Sequence, residues 1–196
     1  AAQLGTWLQT RMSEIEVIAN TDVVRFGEQQ DILKYFNDEF ERFDGIYYTI
    51  GISDTAGNLT VQDGETIQIS SEATFSEVME GNSVISNPLP DKIDPNYLII
   101  SFEAPVYDEN RRVKGLVSGA SFINKVFEEA TDFKIGKTGT VYVFQDDGLI
   151  IHHPDKEKVL QENLLESASP EMTELTEEML HDQQGFAQKR INGEER

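Results

Sequence analysis

The sequence predicts an α+β fold: a long N-terminal helix carrying an antiparallel-sheet lobe, with a second and partial sheet lobe after it. Three observations predict it. Apolar residues recur at spacings of three and four up to Ala19, the stripe of an amphipathic helix. From Gly45 the apolar period changes to two. Residues 97–123, YLIISFEAPVYDENRRVKGLVSGASFI, then form two strand-like runs about a polar turn. So long a hairpin needs a sheet around it and a cover on each face.

Leu4, Leu8, Met12, Ile15 and Ile18 or Ala19 make the first stripe, with Trp7 beside it. The spacing predicts a helix of about five turns. A second helix is expected from Glu28 to Phe43, burying Ile32, Tyr35, Phe36 and Phe40. Ile46, Tyr48, Ile50 and Ile52 alternate with Tyr47, Thr49, Gly51 and Ser53, and residues 54–58 turn the chain into Leu59–Val61. Thr74-Phe75-Ser76-Glu77 has capping-box form for a short helix that Gly81 closes. Ser83–Ser86 reads as a short strand, and 87–96, with three prolines, as a loop.

In the central hairpin, Leu98, Ile100, Phe102, Ala104 and Val106 share one face, and Tyr97, Ile99, Ser101, Glu103 and Pro105 the other. Asp108-Glu109-Asn110-Arg111 is the turn, and a helical pattern follows at Asn124–Thr131. Past Asp132 the pattern restarts. Strands are expected at Val141–Gln145 and Leu149–His152 about the turn Asp146-Asp147-Gly148, then a helix from Ser169-Pro170-Glu171 with Met172, Leu175 and Met179 on its face. Gly185–Ile191 begins another strand, and 192–196 is a turn with no partner strand behind it. The resulting division is 1–43 for the N-terminal helices, 44–131 for a first lobe and 132–196 for an incomplete second one.

Sixteen Lys and Arg against 36 Asp and Glu give a formal net charge of −20 over 196 residues. That argues against nucleic-acid binding, which needs basic patches, and against attachment to anionic lipid. The absence of cysteine excludes disulfides, thiolate metal sites and thiol catalysis. No apolar run approaches the ~18 residues that cross a bilayer. The chain opens without Met and without a signal peptide, as expected of a piece cut from a longer protein.

Candidate chemistries weigh little. Gly136-Lys137-Thr138 lacks the earlier glycine of a phosphate loop and precedes a strand instead of following one. His152 and His153 are adjacent, so on a strand they face opposite ways and cannot easily share a metal. Asp146-Asp147-Gly148 lacks the repeated oxygen ligands of a calcium loop. No carboxylate pair stands out at a strand end and no Ser/His/Asp order is visible, so neither an enzyme nor a cofactor is expected.

Several stretches resemble the double Cache sensor domains of bacterial transmembrane receptors, in which two PAS-like sheets are strung along one long helix. They are the opening helix with Trp7-Leu8, IGISDTAGNLTV at 50–61, ISSEATFSEVMEGNSVISNP at 69–88, SFEAPVYDENRRVKGLVSGASF at 101–122 and IGKTGTVYVFQDDGLIIHHPDKEKV at 135–159. The resemblance implies an extracytoplasmic small-molecule sensor. The parent would be anchored in the membrane and would pair as a homodimer through the N-terminal helix. It implies a membrane-distal ligand lobe at 44–131, a membrane-proximal lobe at 132–196, and a chemoreceptor, histidine kinase or diguanylate cyclase as parent. A structural or dimerisation domain without a small ligand is the alternative.

Amino-acid-binding members of that family carry an Arg, a Trp and an aromatic residue before the short helix, and an Asp after the hairpin turn. Here those positions are Glu72, Thr74, Phe75 and Ala120, so only the aromatic residue is kept. Glu72 would repel a ligand carboxylate. A PAS-like lobe holds its ligand between one sheet face and the elements laid over it. The lining expected here is Tyr48, Glu72, Phe75, Tyr97, Ile99, Ser101, Glu103 and Ala120. With aromatic walls, carboxylates and no Lys or Arg among them, it suits a neutral polar or cationic ligand.

Overall fold

The computed structural model describes residues 2–95, 97–130, 142–181, 190–191 and 194–195. The chain divides into two compact units, Ala1–Thr131 and Asp132–Arg196.

Helix α1 (Ala2–Ala19) opens the first unit and buries the expected stripe at Met12, Ile15, Ile18 and Ala19. The long second helix is α3 (Gln29–Arg42), burying Ile32, Phe36 and Glu39, while Tyr35 and Phe40 stay half-buried. Between the two lies α2 (Asp22–Phe26), which the apolar spacing does not signal. Its Arg25 donates to the carbonyls of Tyr107 and Asp108 at the hairpin tip, at 3.1 and 3.3 Å. Those bonds fix the short helix where propensity alone would not.

The sheet comprises β1 (Thr49–Asp54), β2 (Asn58–Val61), β3 (Thr66–Gln68), β4 (Val84–Ile85), β5 (Leu89–Pro90), β6 (Leu98–Tyr107) and β7 (Val113–Phe122). Its order is β3-β2-β1-β7-β6-β4, with β5 also paired to β6, and the ladders are antiparallel. The hairpin β6–β7 is therefore central, as its length demands. Helix α4 (Ala73–Met79) precedes β4, and α5 (Ile123–Ala130) follows β7.

Two local expectations for the first unit are corrected. The first strand begins at Thr49, and the alternation breaks at the tyrosine pair before it. Tyr47 turns toward α1, where its hydroxyl meets the Arg11 carbonyl and Glu14 Oε2, each at 3.0 Å. Tyr48 turns the other way and lies on Phe122, with ring centroids 4.2 Å apart. A buried phenol goes where its hydroxyl finds partners, and that overrides the period. The capping box is also absent. Glu72 occupies the cap position of α4 without a side-chain cap bond, and Thr74 lies inside the helix. Gly81 does close that end, at φ +100°, a conformation that a β-carbon would strain.

Each sheet face has its own cover. Helix α1 packs on β6 and β7, with Phe102 edge-on to Trp7 and Tyr47 at 6.1 and 6.2 Å. Gly119, paired with Phe102, lies so close beneath α1 that a β-carbon there would come within 2.5 Å of Ile15 Cδ1. The other face buries Leu59, Val61, Ile69, Val78 and Leu116, with Phe75, Met79 and Val84 packed against them. Helix α4 supplies that cover, resting on β4, β6 and β7.

The second unit holds the hairpin β8 (Val143–Phe144) and β9 (Ile150–His152), two 3-10 turns at Lys156–Lys158 and Leu164–Glu166, and α6 (Pro170–His181). Ser169 caps α6 as its sequence predicts, its hydroxyl accepting from the Met172 N–H at 3.4 Å. Strand β10 (Arg190–Ile191) pairs with β11 (Glu194–Glu195), so the closing turn does have a partner strand, contrary to expectation. The Gly136–Gly139 segment lies outside the described residues.

Candidate ligand-binding site

Alternation along β6 sends Phe102 toward α1 and Ser101 and Glu103 to the opposite face. Ile99, Ser101 and Glu103 pair across the ladder with Phe122, Ala120 and Ser118. This face is polar in the middle and apolar at both ends. One end is the cluster around Phe75 and Leu116. At the other, Tyr48 and Tyr97 flank the Phe122 ring at 4.2 and 5.2 Å.

Residues 86–95 and 97 lie along this edge. The Ser86 N–H donates to the Ser101 carbonyl and the Ser101 N–H to Ser86 Oγ, both at 2.9 Å. Asp91 is only 4% exposed. Its N–H donates to the Tyr97 carbonyl, and its Oδ2 accepts from the Asp94 N–H, both at 2.9 Å. The loop is thus folded on its own carboxylate, an Asx-type arrangement. Burial, then the Asp91, Asp94 and Glu65 carboxylates, raise the Tyr48 phenol above its ordinary pKa, so it is a neutral donor at physiological pH.

Glu103 is as deeply set as Asp91, and on the face itself, 5% exposed. Its Oε1 accepts from the Ser101 hydroxyl at 3.0 Å, and Oε2 has no hydrogen-bond partner among the described residues. Burial raises its pKa most and the Glu72 charge adds to this, while the Thr74 and Ser101 hydroxyls pull downward without cancelling it. Glu72 itself is paired, Lys92 Nζ standing 2.6 Å from its Oε1.

Ile99, Ser101, Glu103 and Ala120 are buried on this face, and Tyr48, Glu72 and Phe75 are half-buried at its border. Tyr97 precedes β6 and is 51% exposed, a rim residue more than a wall. Sequence reasoning missed Ser86, Asp91, Lys92 and Phe122. Phe122 was within reach, because it stands two residues after Ala120 on the same strand. The others sit in or beside a loop, where no periodicity reports which way a side chain turns. Among the described residues no three His, Asp or Glu side chains gather to hold a metal ion. The His153 Nδ1 accepts from the Asp155 N–H at 2.9 Å.

A covered sheet face with buried carboxylates and hydroxyls and a rim of aromatic rings, backed by one long helix, is the build of a PAS-like ligand-binding module. Residues 1–196 match the model for the Cache domain in its dCache form, and the chain belongs to the Cache domain family. It is a small-molecule sensor domain of the signal-transduction kind.

Solved structures of similar fold include the ligand-binding domain of the Pseudomonas aeruginosa PAO1 amino acid chemoreceptor PctC in complex with GABA. It is 17% identical, with a TM-score of 0.66, covering 85% of this chain and 76% of that one. The ligand-binding domain of PctB from the same organism, in complex with L-arginine, is 18% identical with a TM-score of 0.68, covering 97% and 78%. An extracellular ligand binding receptor from Desulfohalobium retbaense DSM5692 is 16% identical with a TM-score of 0.72, covering 97% of this chain and 35% of that one. At such identities the likeness is one of fold. No curated protein matches.

Proposed function

We propose that the domain receives its ligand outside the cell, on the β6–β7 face beneath α4 and residues 86–95, as part of a membrane-anchored receptor. The 44–131 lobe is the membrane-distal, ligand-binding one and 132–196 the membrane-proximal one. The observation that carries this reading is the buried polar patch of Ser101 and Glu103 in the middle of an otherwise apolar face. A core built only for stability would fill that patch with apolar side chains. The ligand is neutral polar or cationic, because the patch presents Glu103, Glu72 and Asp91 against the single ammonium of Lys92, already engaged. The amino acids and GABA bound by similar chemoreceptor domains support a ligand of that size. The domain binds without catalysing a reaction.

The same strand offers a route for the signal. Ser101 and Glu103 face the ligand while Phe102, between them, abuts Trp7 of α1 and Tyr47. A shift of β6 on binding is passed to α1, along which the receptor pairs as a dimer. Thermal-shift screening of a metabolite library tests the reading, since a ligand at a hundred times its Kd adds about 2.7 kcal/mol to the native state. At least one neutral or cationic compound is expected to raise Tm, and Glu72→Ala is expected to reduce that rise. Stabilisation by simple carboxylates alone, unchanged in the variant, would refute it.

A further inference from the structure

We propose that Glu103 is the anchor for an ammonium group of the ligand, its open Oε2 receiving the N–H while Ser101 holds Oε1. This rests on the sensing function above and narrows it to a class: primary or secondary amines that carry no carboxylate near the ammonium.

The argument starts from an open atom. Glu103 is 5% exposed, and its Oε2 meets no donor or acceptor among the described residues. Buried polar atoms are almost always paired, so such an exception calls for a partner. Protonation does not supply one. A carboxyl hydrogen on Oε2 would itself need an acceptor, and the Thr74 hydroxyl, close enough to lower the Glu103 pKa, makes no hydrogen bond with Oε2. The missing partner therefore comes from outside the fold.

Charge then selects its sign. The charged group that faces Glu103 from α4 is Glu72, which repels a second anion. Lys92, the cation brought by the 86–95 loop, stands 2.6 Å from Glu72 and is used there. From β7 the opposing residue is Ser118, and from β4 it is Val84, neither of them charged. Ser118 and Ala120 are short, and both are buried on the same face. A cation completes this local balance, and a hydrogen-bonded one also satisfies Oε2. A quaternary ammonium, with no N–H, satisfies the charge alone. Burial raises the Glu103 pKa, so at a pH within its titration an arriving ammonium displaces the carboxyl proton and binding releases it.

The experiment titrates n-propylammonium, tetramethylammonium, n-propanol and propionate against the whole chain and Glu103→Gln, followed by thermal shift. Calorimetry in two buffers of different ionisation enthalpy counts protons for the wild type. The expected result is stabilisation by n-propylammonium, at least tenfold weaker responses to the other three, proton release on binding that grows as the pH is lowered into the Glu103 titration, and at least a tenfold weaker n-propylammonium response in Glu103→Gln. Ser101→Ala, a smaller change, guards against a variant that fails to fold. It is expected to weaken n-propylammonium several-fold with an unaltered circular dichroism spectrum. Equal responses in wild type and Glu103→Gln, or equal binding of tetramethylammonium, overturn the proposal. If library metabolites stabilise both chains alike, sensing stands and the role of Glu103 falls. If neither library nor amines stabilise the wild type, both fall.

Discussion

Replacing Phe102 with alanine tests whether β6 and α1 are as tightly joined as the structure has them. The ring is fully buried and stands edge-on to Trp7 and Tyr47 at centroid distances of 6.1 and 6.2 Å. A buried Phe→Ala change costs about 3–5 kcal/mol, and the two aromatic contacts place this one near 4. With a urea slope of about 2 kcal/mol per molar, the midpoint should fall by about 2 M. Trp7 is the only tryptophan in the chain, so its emission reports on this contact without interference. It should shift to the red in Phe102→Ala even before unfolding, as the ring loses its apolar neighbour. A midpoint change below about 0.5 M with unshifted Trp7 emission would mean that α1 is not packed on Phe102, and the proposed signal route would go with it.

Two other outcomes follow from the same faces. Gly119→Ala places a β-carbon 2.5 Å from Ile15 Cδ1 and 3.0 Å from the Tyr47 ring, so the overpacking should cost about 1–3 kcal/mol in urea unfolding, with α1 displaced and Trp7 emission altered. The stability of the wild type should fall as pH rises from the ordinary glutamate range through the raised Glu103 pKa. In that window the folded state holds a proton that the unfolded chain has lost. Glu103→Gln cannot titrate, so the difference in stability between wild type and variant, followed by denaturation over that window, should move in the variant's favour with rising pH. A difference that stays flat would show that Glu103 is not buried in solution.

The legible part of the fold was the part that periodicity controls. The two faces of 97–106 were readable because Phe102, Ala104 and Val106 alternate with Ser101, Glu103 and Pro105 without interruption, and a ladder ten residues long has only one register that buries both sets. The Tyr47–Tyr48 pair was misread for the opposite reason. Two adjacent tyrosines fit either face, and the choice rests on a hydroxyl reaching Arg11 and Glu14 some 33 to 36 residues earlier. Helix α2 was invisible because five residues carry too little pattern, and what holds it is Arg25 at the hairpin tip.

The candidate site shows the same division more sharply, and one pair of residues changes its chemistry. Read along the chain, Glu72 and Glu103 count as two equal carboxylates in front of a ligand. In the fold they are unlike. Glu72 sits at the border of the face with Lys92 against it, a partly exposed pair worth at most about 1 kcal/mol and readily screened. Glu103 lies beneath α4 with the Ser101 hydroxyl on one oxygen and, among the described residues, no hydrogen bond on the other. No spacing rule could make that distinction, because Lys92 arrives on a loop whose course is set by Asp91 and Ser86. The charge reversal that seemed to matter most, at 72, is partly offset by Lys92. The anionic character of the site therefore rests on the buried Asp91 and most of all on Glu103, a residue the strand pattern did set on one face with Ile99 and Ser101.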